Sequence, residues 1–87
     1  MKYVPMNLEQ YFLRIKNATD VESREMLSQA LRGRYPVRIE KLINRIVKHI
    51  VLEYNYCFNT DYKKIEDIVL QVFKNSKTIE DILVVFE

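Results

Sequence analysis

With 87 residues, 48% of them hydrophobic and 30% charged, the chain has material for one core and not two, and is too apolar for a disordered tail. One glycine and two prolines supply too few turn residues for a hairpin-rich β fold, and a single cysteine excludes an internal disulfide and a multi-cysteine zinc site. The net charge of +2 conceals an asymmetry: residues 1–50 carry ten Lys/Arg against five Asp/Glu, and residues 51–87 carry four against seven.

Five helical segments are predicted in chain order. Asn7 is the expected N-cap of the first, about Asn7 to Asn17, in which Leu8, Tyr11, Phe12 and Ile15 share one face. Thr19-Asp20-Val21-Glu22 is a capping-box pattern that opens the second. That helix runs to about Leu31 with a thin apolar face of Met26, Leu27, Ala30 and Leu31, and Gly33 sits where a left-handed terminal residue is wanted. The third starts near Pro36, whose missing N–H suits a first turn, and continues to about Tyr54. The fourth starts near Thr60 or Asp61 and places Ile65, Ile68, Val69, Val72 and Phe73 at helical spacing. The fifth opens at Thr78, with Asp81 three residues on, and runs to the end. Short connections imply mostly antiparallel neighbours. The fold expected is all-α: a compact single-domain bundle of four to five helices around a long central helix at about residues 36–54.

The central helix has two unlike faces. Ile39, Leu42, Ile43, Ile46, Val47, Ile50, Val51 and Tyr54 cover nearly half its circumference, as suits a helix touched on several sides. Arg38, Lys41, Arg45 and Lys48 fall opposite, joined by Arg34 if the helical phase extends that far, with His49 at the margin and no acidic residue between them. Such a one-signed stripe suits phosphates or an acidic protein surface. It equally suits a solvated outer face, or one answered by the chain's own Asp61, Glu66, Asp67, Glu80 and Asp81. A helix-turn-helix over Met26 to Lys48 fits poorly. Arg32 and Arg34 flank Gly33 where core contacts are expected, and Pro36 adds a break.

Beyond that helix, YNYCFNTDY sets Tyr54, Tyr56, Phe58 and Tyr62 within nine residues. They can serve as a lid on the bundle end or as a patch for a partner or for stacked bases. Cys57 within them reads as a small buried or half-buried hydrophobe with no nearby base to lower its pKa. At the carboxyl end, Ile79, Ile82 and Leu83 make one face while Val84, Val85 and Phe86 spread apolar surface around the last turn. That end is either wedged between helices or a docking surface for a second chain.

The sequence shows no glycine-rich phosphate loop, no paired-His or Cys cluster and no marked nucleophile–His49 pair. No signal-peptide-like apolar stretch is evident at the start, and the longest apolar run, Ile82 to Phe86, is far too short to span a bilayer. These features lead to the expectation of a soluble, cytoplasmic, non-enzymatic protein without cofactors. KLINRIVKHIVLEYN, Lys41 to Asn55, resembles the long third helix of class IIa bacteriocin immunity proteins, which are four-helix cytoplasmic bundles of about this size. The resemblance covers some fifteen residues and implies an immunity-like role as a minor alternative. The principal expectation is a small regulator or inhibitor, of a kind that bacteria and their phages encode, that acts by binding another protein. Nucleic acid on the basic stripe is the alternative, and a homodimer a further one. The candidate contact residues are Arg34, Arg38, Lys41, Arg45, Lys48, Tyr56, Phe58 and Phe86: the stripe steers, and the aromatic groups anchor.

Overall fold

The computed structural model describes residues 6–86 and folds them into α1 (Leu8–Asn17), α2 (Asp20–Leu31), α3 (Val37–Tyr54), α4 (Tyr62–Asn75) and α5 (Ile79–Phe86). The all-α bundle expected from the sequence is what forms. Its radius of gyration, 12.1 Å, equals the ~12 Å of a single compact domain of this length.

Local chemistry explains where each helix starts and stops. Asn7 caps α1 reciprocally with Gln10: the Gln10 amide donates to Asn7 Oδ1 at 2.8 Å, and the Asn7 amide donates to Gln10 Oε1 at 3.1 Å. At α2 the Thr19 hydroxyl oxygen accepts from the Glu22 amide at 3.3 Å. The second half of the expected box is altered, because the Glu22 carboxylate accepts from the Thr19 hydroxyl instead of from a backbone amide. Gly33 stops α2 with φ +72°, and the Gly33 and Arg34 amides donate to the Ala30 and Gln29 carbonyls, the paired closing bonds of a Schellman turn. Pro36 lies just outside α3, and its carbonyl accepts from the amides of Ile39 and Glu40. Asn55 ends α3 in the left-handed region at φ 55°, a conformation asparagine tolerates better than most residues. The Asp81 carboxylate accepts from the Lys77 and Thr78 amides and so opens α5; Glu87 lies outside the described residues.

The core forms where the apolar faces converge. Helix α3 packs against all four other helices, and α4 packs against α1, α2 and α3. From α3, Ile39, Leu42, Ile43, Ile46, Val47 and Ile50 are buried. They meet Tyr11, Phe12 and Ile15 of α1, Leu27 of α2, Ile65, Val69, Leu70 and Phe73 of α4 and Ile82 of α5. Side chains of this type contribute about 1.5–3 kcal/mol each when removed from water. Two rings and two hydroxyls set how α1 meets its neighbours. Tyr11 stands edge-on to Tyr35 at 4.9 Å and donates its hydroxyl to the Met26 carbonyl at 2.9 Å. Ser23, buried in α2, donates to the Ile15 carbonyl at 2.8 Å.

In and around the core, three residues depart from the sequence expectation. Leu70 is buried although it lies off the single apolar stripe, because α4 is covered from several sides. Tyr35 is buried in the α2–α3 turn, held there by Tyr11. Tyr54 was expected on the apolar arc but is 47% exposed. It lies in the last turn of α3, past the end of the core.

Candidate partner-binding surface

The basic stripe of α3 points outward. Arg38, Lys41, Arg45 and Lys48 are exposed, as is Arg34 in the preceding turn. Arg34 is outside the helix, so only four of the five expected residues share the helical register. Over the ten steps from Arg38 to Lys48 the stripe is about 15 Å long.

Internal acidic groups are largely committed elsewhere. Glu66 lies 3.3 Å from Arg24 on α2, and Asp67 pairs with the same guanidinium. Asp61 accepts from the Cys57 amide at 2.8 Å and approaches Lys64 at 4.0 Å. Asp81 is the α5 cap already described. Glu80 is exposed on α5. Arg38 and Arg45 have partners of their own, so Lys41 and Lys48 are the stripe's cleanest outward charges.

The stripe runs into apolar surface that the sequence pattern did not single out. Leu52, 75% exposed, lies about 40° around the helix from Lys48 and about 20° from Lys41, so it extends the same line. His49 at the stripe's margin meets the Phe86 ring edge-on at 5.2 Å. This contact lays the end of α5 beside the stripe. On the outer side of α5, Val84 is 82% and Val85 63% exposed. A groove of about 300 Å³ between α4 and α5 is lined by Ile68, Val72, Ile82, Val85 and Phe86. At the carboxyl end Ile79 and Ile82 are buried in the core, as the wedged alternative expected, while Val84 and Val85 stay exposed.

The aromatic turn divides in two. Tyr56 packs against the core, with Tyr54 against its ring at 5.3 Å and the Lys64 ammonium 5.7 Å from it. Phe58, 41% exposed, stands edge-on to Tyr62 at 5.4 Å. Phe58 and Tyr56 therefore belong to the end of the bundle, whereas Phe86 lies against the stripe. Cys57 is exposed, not buried or half-buried as its sequence context suggested. Asn55 turns the chain outward and the Cys57–Asp61 turn holds it there. The Thr60 hydroxyl, joined by the Thr60 and Asn59 amides, hydrogen-bonds the thiol and holds it below its ordinary value, against the opposing charge of Asp61.

Among the described residues no cluster of three or more His, Cys, Asp or Glu side chains could hold a metal, and no helix is long and apolar enough to cross a membrane. No protein-family model matches the chain, and neither a curated protein nor a solved structure matches it.

Proposed function

We propose that this chain is a small non-enzymatic regulator or inhibitor that works by binding another protein across the face formed by α3 and α5. The observation that carries this reading is the continuity of charge and apolar surface. Lys41 and Lys48 lead directly to an exposed Leu52, and Phe86 closes the adjacent edge through His49. Long-range charge raises the rate of encounter, and a central apolar anchor slows dissociation. A pure phosphate rail has no use for a leucine in its path, which favours a protein over the alternative, nucleic acid. Tyr54 in the last turn of α3 and Phe58 in the turn that follows are further exposed aromatic groups within reach of a large partner.

Salt dependence and mutation separate the two partner classes. With a protein partner, Leu52→Ala or Phe86→Ala weakens binding more than any single Lys→Ala in the stripe, by about 2 kcal/mol for a central anchor. With nucleic acid, affinity falls steeply with salt, and Lys41→Ala and Lys48→Ala each reduce the slope by about one. Binding unchanged in both sets of variants would remove this face from the account.

A further inference from the structure

The outer surfaces of α3 and α5 are chemically opposite and lie side by side. On α3 the outward line is Lys41, Lys48 and Leu52, and on α5 it is Glu80 and Val84, all five exposed. Val84 and Leu52 are among the most exposed large apolar side chains described, at 82% and 75%. The Phe86–His49 contact fixes the two helices as neighbours, yet both lines point away from the molecule and so do not satisfy one another within one chain.

We propose that in the free protein a second copy of this chain covers this face, so that self-association masks the surface assigned above to the partner. The inference rests on that surface but not on the partner's existence. A twofold axis running between the two helices sets α5 of each copy over α3 of the other. Glu80 then faces the lysines of the stripe, and Val84 and Val85 approach Leu52. Each contact occurs twice, so the assembly closes at two copies instead of growing into a filament. Charge complementarity argues for this occupant. Helix α3 carries four Arg/Lys against two Glu, and α5 carries two acidic residues and no basic one, so copies attract in this arrangement despite a net charge of +2. A stable interface removes on the order of 800 Å² per copy, a modest share of the 5792 Å² one chain exposes. Arg38 and Arg45 already have partners and are not needed.

Light scattering across a concentration series tests the proposal, with circular dichroism to confirm that each variant remains helical. The wild-type chain is expected to approach twice its 10.5 kDa mass. Lys48→Glu and Glu80→Lys, each alone, bring like charges together twice and should weaken association by about tenfold or more. An equal mixture of the two variants should recover the dimer, because every contact in the mixed pair joins opposite charges. Val84→Asp should give a monomer. A wild-type monomer at several hundred micromolar would overturn the proposal, as would dimers indifferent to both charge reversals or variants that do not rescue each other. None of these results depends on a partner protein, so the dimer can fail while the binding reading stands, and the reverse.

Discussion

At the scale of single residues, buried polar groups do the most to specify the packing. The Tyr11 hydroxyl reaches the Met26 carbonyl from within the core, and burial, aided by neighbouring Tyr35, pushes its ionisation far above the ordinary 10.0. A folded-state value raised above the unfolded one means that this stabilisation is complete below pH 10 and is lost as pH rises beyond it. Urea titrations at increasing alkaline pH should therefore show falling stability above about pH 10. Tyr11→Phe should flatten that fall while costing about 1 kcal/mol at neutral pH, because the buried hydrogen bond to the Met26 carbonyl is lost. Cys57 shows the opposite shift at an exposed position. Its alkylation rate should rise with a midpoint below the ordinary 9.0, and Thr60→Val should move the midpoint upward by removing the first of the hydrogen bonds to sulfur. A midpoint at or above the ordinary value in the wild type would contradict the turn geometry.

At the scale of helices, an exchange of lysines joins α1 to α4. Lys16 donates to the carbonyls of Lys74, at 3.1 Å, and Ser76. Lys74 donates to those of Lys16, at 3.2 Å, and Ala18, at 2.9 Å. The carboxyl ends of two helices thus lie together, where their partial negative charges add, and each ammonium neutralises the other helix's unpaired carbonyls. Lys16→Met and Lys74→Met should each cost about 1 kcal/mol, and the double variant should depart from additivity by about 0.5 kcal/mol or more. Additive losses in chemical denaturation would show that the lysines act separately. This clamp links residues 58 apart in sequence, and no local pattern reveals it. By contrast, the signals that were legible act over three or four residues: Asn7 and Thr19 as caps, Gly33 as a left-handed stop, and the apolar stripe of α3. Leu70 and Tyr35 escaped for the same reason as the clamp, since their burial depends on which helices arrive over them. Cys57 escaped because its exposure follows from the left-handed Asn55 and the Asp61 turn, not from its apolar neighbours.

At the scale of the molecule, the fold separates a closed apolar interior from an outer surface on which α3 and α5 set charge beside exposed aliphatic groups. The stripe was legible because periodicity alone places Arg38, Lys41, Arg45 and Lys48 together. What lay beside it was not: the packing of α5 on α3, with the His49–Phe86 contact at its edge, brings Leu52, Phe86 and the valines of α5 to neighbouring surface. Association through this face should begin with charge and be held by apolar contact. Raising salt from low to physiological should then slow association while leaving dissociation nearly unchanged.

The most direct measurement is comparative capture from a nuclease-treated lysate of the encoding organism, using the wild-type chain beside Leu52→Asp and the Lys41→Glu/Lys48→Glu pair, each verified as helical. The account predicts one protein retained by the wild type at physiological salt and lost from both variants. Retention of the same proteins by all three chains, or of nucleic acid alone before nuclease treatment, would contradict it.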